Sequence, residues 1–241
     1  MLSTMRKTLE FRAAASVLIG FLLVFGAYFA DVSTGAAQTT ATPSTTSRTS
    51  GSAQNAAAAT DRTIAELSPQ AKLVSQIAAR NHDQNFLMVD KLHALLFYFK
   101  NGQPIYSDPV LTGASTADRF TPDILAKSFS EPLTQSQKIT PAGRYTVTRD
   151  YDPLYGIIFE INEIHGKDWS LAIHTVYLGR PHEKRRERLQ SPSPHDNLVT
   201  YGCMNIDADG IRFLARHLPK KGKTPLYILP RDESTTATFF P

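Results

Sequence analysis

Cys203 is the only cysteine in the 241-residue chain, and it stands in the run Thr200, Tyr201, Gly202, Cys203, Met204, Asn205. Upstream, His174 closes an apolar strand pattern running from Trp169 through Ser170, Leu171 and Ala172 to Ile173, 29 positions before the cysteine. A thiol becomes a strong nucleophile near neutral pH when an adjacent base or cation favours its thiolate, and imidazole is the usual partner. Gly202 adds a second requirement of the same chemistry. A residue without a side chain lets the backbone turn sharply, so that N–H groups near Cys203 can point at an oxyanion. Cys203 taken alone also admits a bland reading as a buried, inert small hydrophobe. His165, followed by Gly166, is a rival base, although its Gly-Lys-Asp context has the composition of a hairpin turn.

The compartment bears on the cysteine. Arg6, Lys7 and Arg12 precede Ala13 to Ala30, eighteen residues without a charge, as in a secretory signal. Residues 1–37 are therefore expected to be a signal peptide or an uncleaved inner-membrane anchor, with the rest of the chain outside, in the periplasm or cell envelope. Exported proteins that use cysteine structurally use it in pairs, so a lone exported thiol is a candidate nucleophile. The net charge of +4 is not gathered into long basic blocks and gives nucleic acid binding no support. No paired-Cys spacing and no His-Glu-x-x-His motif suggests a metal site, and no cofactor is expected.

The elements that must hold these residues follow from composition and period. Residues 38–62 are mostly Ala, Thr, Ser, Gln, Gly and Asn, a low-complexity linker that cannot bury enough apolar surface to fold. Residues 63–84 contain a short helix at the domain edge, with Ala71, Val74, Ile77 and Ala78 at helical spacing. Strands are expected at Phe86 to Val89, Ala94 to Phe99 and Gln103 to Leu111, the last two joined by the Asn101, Gly102 hairpin signal. A polar segment from Ser115 to Lys138 looks like an inserted surface stretch. Strand character returns at Gly143 to Arg149, Ile157 to Ile164 and Trp169 to Ile173. Asp207 then caps a helix with Ile211, Leu214, Ala215 and Leu218 on one face, Pro219 stops it, and Pro225 to Leu229 is the last strand. The expected fold is mainly β, a sandwich or barrel with one or two short helices, over residues 85–230 with a tail at 231–241.

In this setting the chain resembles the L,D-transpeptidase catalytic domain family (YkuD-like). That family's pattern is a strand-end His, a loop, then Ser or Thr, usually His, Gly, Cys, an apolar residue, and Arg or Asn. Thr200, Gly202, Cys203, Met204 and Asn205 fit it. Thr140, Pro141, Ala142, Gly143, Arg144 and Tyr145 resemble the family's Thr-Pro-x-Gly-x-aromatic segment, as does the strand end Val110, Leu111, Thr112, Gly113. Two departures stand out. Tyr201 replaces the usual His, and the stretch between His174 and Cys203 is longer than the family usually shows. It carries Arg180, Pro181, His182, Glu183, Lys184, Arg185, Arg186, Glu187 and Arg188, either a lid that meets substrate carboxylates or a solvated loop.

The resemblance implies peptidoglycan biosynthesis in cell wall biogenesis and cell shape. Cys203 would be the nucleophile and His174 its base. Thr175 would orient His174 through its carbonyl, Gly202 would shape the oxyanion loop, and Thr200, Tyr201 and Asn205 would line the substrate site. Stem peptides of peptidoglycan would be the partners, with an envelope lipoprotein as an alternative acceptor. A carboxypeptidase or cross-link hydrolase would use the same nucleophile, and an inactive wall-binding module is the reading from a different class.

Overall fold

The computed structural model describes residues 64–241. The chain divides into two units, Met1–Ala56 and Ala57–Pro241, and every described residue belongs to the second. The expected signal or anchor at 1–37 and the linker at 38–62 lie outside the described residues. Among the described residues no helix is long and apolar enough to cross a membrane.

Helix α1 (Pro69–Arg80) starts where Ser68 accepts a hydrogen bond from the Ala71 amide at 3.1 Å, with Pro69 in the first turn where no N–H is needed. Ala71, Val74, Ile77 and Ala78 are buried, and they pack with Phe86, Met88, Phe97, Phe99, Tyr227 and Leu229. Strands β1 (Phe86–Asp90), β2 (Leu95–Lys100) and β3 (Gln103–Pro109) form an antiparallel meander. Asn101 and Gly102 make the two-residue turn between β2 and β3 with φ of +53° and +73°, as a turn matching the strand twist requires. Every residue of β1 is buried, because Phe86 and Met88 face α1 while Leu87 and Val89 face the other core. A strand covered on both faces reads as a continuous apolar run instead of an alternation.

After β4 (Thr112–Gly113) and helix α2 (Pro122–Ala126) come β5 (Gly143–Asp152), β6 (Gly156–His165) and β7 (Ser170–Thr175). Helix α3 (Arg185–Leu189) and β8 (Leu198–Thr200) lead into β9 (Met204–Ile206). Helix α4 (Ala208–His217), capped by Asp207 through the Gly210 amide at 2.7 Å, precedes β10 (Lys223–Ile228). The short α5 (Thr236–Phe239) ends the chain, and Phe240 after it is buried against Tyr227.

The main sheet runs β3-β2-β1-β10-β5-β6-β7-β9, with β1–β10 and β7–β9 parallel and the other pairs antiparallel. Its two edges nearly meet. Leu111, just beyond β3, exchanges both backbone hydrogen bonds with Asn205 on β9, at 2.8 and 3.0 Å. The sheet therefore curls into a nearly closed barrel, around Leu87, Val89, Leu96, Phe159, Ile173 and Leu226, with Ile211 and Leu214 of α4 in the same core. β4 and β8 form a separate parallel ladder.

Candidate active site

The parallel β7–β9 pair sets Ile173 against Met204 and His174 against Asn205. Cys203, one residue before β9, is thereby fixed beside Ala172 in the middle of β7, and the Ala172 amide helps hold a negative charge on its sulfur. Burial nevertheless raises the thiol pKa above its ordinary value. The Ala172 amide and the Arg185 charge oppose the rise, and Asp152 adds to it.

The loop before the cysteine is built on glycine and hydroxyl groups. Gly202 has φ +131°, and a Cβ there would come within 2.6 Å of the Ile139 carbonyl oxygen, so no other residue fits without a backbone shift. The Thr200 hydroxyl donates to the Cys203 carbonyl at 2.6 Å and accepts from the Gly202 amide at 3.1 Å. The Thr140 hydroxyl donates to the Gly202 carbonyl at 2.7 Å and accepts from the Gly113 amide at 2.8 Å. Below it, the buried Lys91 donates to the Thr140 carbonyl at 2.7 Å and to Asp118 at 2.5 Å. Burial pulls the Lys91 pKa down to about 8 against the pull of Asp118. Thr200, expected at the substrate surface, is buried and its hydroxyl serves the loop.

His174 is 4% exposed and held on three sides. Nδ1 is 2.8 Å from the Thr175 carbonyl oxygen, which makes it the N–H donor and leaves Nε2 with the basic lone pair. Asn205 Nδ2 lies 3.1 Å from Nε2 and 3.5 Å from Nδ1. A group on the in-plane lone pair of one ring nitrogen is far from the other, so the amide sits over the face of the imidazole and leaves the lone pair open. The Tyr155 ring lies 3.9 Å from the imidazole, centre to centre, and fills the opposite face. Burial lowers the imidazole pKa to about 4. The Thr175 carbonyl and Asp152 oppose the shift, and Arg185 reinforces it.

Sequence reasoning missed Lys91, Tyr155 and Tyr177, and it placed Arg185 in a lid or solvated loop, where the structure instead buries it. Tyr155 comes from the turn between β5 and β6; burial pushes its phenol up to about 12, with the Cys203 charge as the next cause. Tyr177 stands edge-on to Tyr155 at 5.9 Å. Arg185, from the basic run between β7 and β9, is buried and donates to Asn205 Oδ1 at 2.8 Å. Tyrosines in loops and an arginine among arginines give no local signal of burial.

Tyr201 is 40% exposed and hydrogen-bonds to Arg180, whereas Asn205, wholly buried, bonds to Arg185 and lies against His174. Arg180 Nη1 donates to the Tyr201 hydroxyl at 2.6 Å, and Lys138 Nζ lies 4.2 Å from the ring centre. The Arg180 hydrogen bond lowers the phenol pKa. His165, the rival base, pairs with Ser170 at the opposite end of β7 and contacts the Asn162 carbonyl oxygen at 2.5 Å, away from Cys203. A crevice of about 990 Å³ is lined by Tyr155, Thr175, Tyr177, Arg186 and Asp207, but neither Cys203 nor His174 lines it. Among the described residues no group of three or more His, Cys, Asp or Glu side chains could hold a metal ion.

The nearly closed barrel thus sets the chain's only thiol, through the β7–β9 register, two residues before the partner of the clamped His174. Residues 84–228 match the family model of the YkuD L,D-transpeptidase catalytic domain, and the chain belongs to that family. Among solved structures it is similar to an L,D-transpeptidase of Xylanimonas cellulosilytica, at 11% identity over 61% of this chain and 60% of that one, TM-score 0.37. L,D-transpeptidase 1 of Mycobacterium tuberculosis is matched at 11% identity over 61% and 62%, TM-score 0.34. The catalytic domain of the Enterococcus faecium L,D-transpeptidase is matched at 15% identity over 61% and 98%, TM-score 0.36. The chain thus spans about three fifths of the length of the first two. No curated protein matches the sequence.

Proposed function

We propose that the protein is an exported L,D-transpeptidase that works on tetrapeptide stems of peptidoglycan through a thioester on Cys203. The observation that carries this reading is the β7–β9 register, which sets His174 against Asn205, two residues past the only thiol. Burial favours the neutral form of both groups, so proton transfer accompanies attack instead of preceding it. Sγ bonds to the carbonyl carbon of the third stem residue while the thiol proton passes to His174 Nε2. Collapse of the intermediate breaks the bond to the terminal D-alanine, whose nitrogen takes that proton. The side-chain amine of a diamino acid in a neighbouring stem then attacks the thioester and gives its proton to Nε2, and the leaving sulfur recovers it, yielding a 3-3 cross-link. The Gly202 amide is engaged with Thr200, so the oxyanion falls to the Cys203 amide.

Residues 1–37 deliver the domain to the periplasmic side as signal or anchor, and 38–62 tether it. Water or the lysine amine of an envelope lipoprotein are the alternative acceptors. Mass spectrometry of products from purified muropeptides distinguishes cross-linking, trimming and lipoprotein attachment. Cys203→Ala is expected to lose both product formation and the covalent carbapenem adduct. Wild-type activity in that variant would overturn the mechanism, and a wild-type protein forming neither product nor adduct would leave an inactive wall-binding module.

A further inference from the structure

The basic run between β7 and β9 contributes one side chain to the interior of the site. Lys184 takes a left-handed conformation, φ +47°, between the turn Pro181–Glu183 and α3, and Arg185 follows it inward. The Arg185 side chain is 6% exposed. Nε donates to Glu183 Oε2 at 2.6 Å and Nη1 to Asn205 Oδ1 at 2.8 Å. The guanidinium carbon lies 5.7 Å from the centre of the Tyr177 ring.

These contacts close a ring. Asn205 covers one face of His174, Tyr155 covers the other, Tyr177 braces Tyr155 from the edge, and Arg185 touches both Asn205 and Tyr177. An arginine offers only donors, so the Asn205 oxygen must turn toward it and the Asn205 N–H group toward the imidazole. With the amide oxygen turned the other way, Asn205 would instead favour a protonated ring. The guanidinium also places a positive charge that favours thiolate on Cys203 and disfavours imidazolium at His174.

Resting on the cysteine–histidine chemistry proposed above, we propose that Arg185 is a positioning residue for that pair. It braces both plates that hold the imidazole, through Asn205 on one face and through Tyr177 and Tyr155 on the other. It also supplies the buried cation that favours negative charge on the attacking sulfur.

The test is the rate of Cys203 alkylation by iodoacetamide across pH, together with the rate of acylation by a carbapenem, in Arg185→Met, Arg185→Lys and Asn205→Ala. In Arg185→Met the alkylation midpoint should move upward, because a cation near the thiol is gone. Acylation should slow by about tenfold or more, because the imidazole is no longer held. Arg185→Lys should restore most of the midpoint but not the acylation rate, since an ammonium lacks the planar fork. Combining Arg185→Met with Asn205→Ala should cost little beyond either alone, as residues acting through one another are non-additive. A variant with lowered Tm but wild-type alkylation and acylation profiles while folded would reduce Arg185 to a structural strut and overturn the proposal. If Arg185→Met does not fold, Arg185→Lys and Asn205→Ala decide by the same profiles. Failure of the wild-type protein to process stem peptides would sink the functional reading alone, because alkylation needs no substrate.

Discussion

Two polar segments interrupt the strands, and they end in different places. Residues 128–137 stay exposed or half-exposed and bond among themselves and to Asp168, itself exposed on the turn between β6 and β7. Glu131 accepts from the Ser128 amide at 2.8 Å, Asp168 accepts from Ser128 and the Phe129 amide, and Thr134 and Gln137 form a capping box. Residues 180–189 look no less polar, yet they are stitched into the domain. Arg185 and Leu189 are buried, Arg188 donates to the carbonyls of Glu183 and Asp196 at 2.9 Å each, and Arg185 reaches Asn205. Charge density does not separate the two. What separates them is whether a buried polar group elsewhere needs a partner, and the wholly buried Asn205 does.

The largest test of this contrast replaces each segment in turn by a Gly/Ser loop of equal length. Replacing 180–189 is expected to cut the rate of Cys203 acylation by a carbapenem by about a hundredfold, because Asn205 and His174 lose their brace. Replacing 128–137 should leave it within about twofold. Circular dichroism checks folding in both, and equal losses of acylation would erase the distinction.

Acid sensitivity should sharpen it. The imidazole of His174 has a folded-state pKa of about 4, below its ordinary 6.5, so between these values the unfolded chain binds the proton and the folded chain does not. The stability that depends on neutral His174 is complete above about pH 6.5 and is lost as the pH falls toward 4. Urea unfolding over that window should show the decline in wild type and a flatter profile in His174→Gln. Arg185→Met should lose less over the same window, since removing the cation lets the imidazole titrate higher. Identical profiles in wild type and His174→Gln would mean that His174 is not the group responsible.

Much of this architecture is legible in residue order. The Asn101, Gly102 turn, the Asp207 cap and the apolar strands announce themselves because local chemistry demands them. The parallel pairings do not, because β1–β10 joins residues nearly the whole domain apart and β7–β9 spans the basic segment. Cys203, His174 and Gly202 stand out by type and spacing, and the Thr175 carbonyl oxygen lies 2.8 Å from His174 Nδ1. Tyr155, Tyr177, Arg185 and Lys91 were opaque. Their roles arise only when the barrel closes, which buries Lys91 and Arg185 and half-buries Tyr155 and Tyr177. The basic run could not be resolved into inward and outward members, since a buried arginine and an exposed one look alike until Asn205 is in place.

Within the stitched segment, the outward residues should behave unlike Arg185. Arg180, against Tyr201, and Arg186, lining the crevice, are exposed charges of this segment. If they meet stem-peptide carboxylates, Arg180→Glu and Arg186→Glu should raise KM severalfold with kcat little changed, and added salt should mimic the change. A fall in kcat with constant KM would place them with Arg185 and blur the contrast inside the segment.

The smallest effect is expected in the exposed segment. Thr134 caps a single turn, Gln135–Gln137, through its side chain, while the Gln137 side chain returns a bond to the Thr134 amide at 3.1 Å. Every partner in this box is surface-exposed or nearly so, and water can replace each lost bond, so Thr134→Ala should cost about 0.5 kcal/mol. For a domain of this size that is a fall in Tm of about 1–2 °C. The carbapenem acylation rate and the Cys203 alkylation profile should be unchanged, because nothing in the box reaches the β7–β9 pair. The measurement is thermal unfolding alongside single-turnover acylation on the same preparation. A Tm loss several times larger, or any movement of the alkylation midpoint, would show that 128–137 is coupled to the site and that the two polar segments differ in degree only.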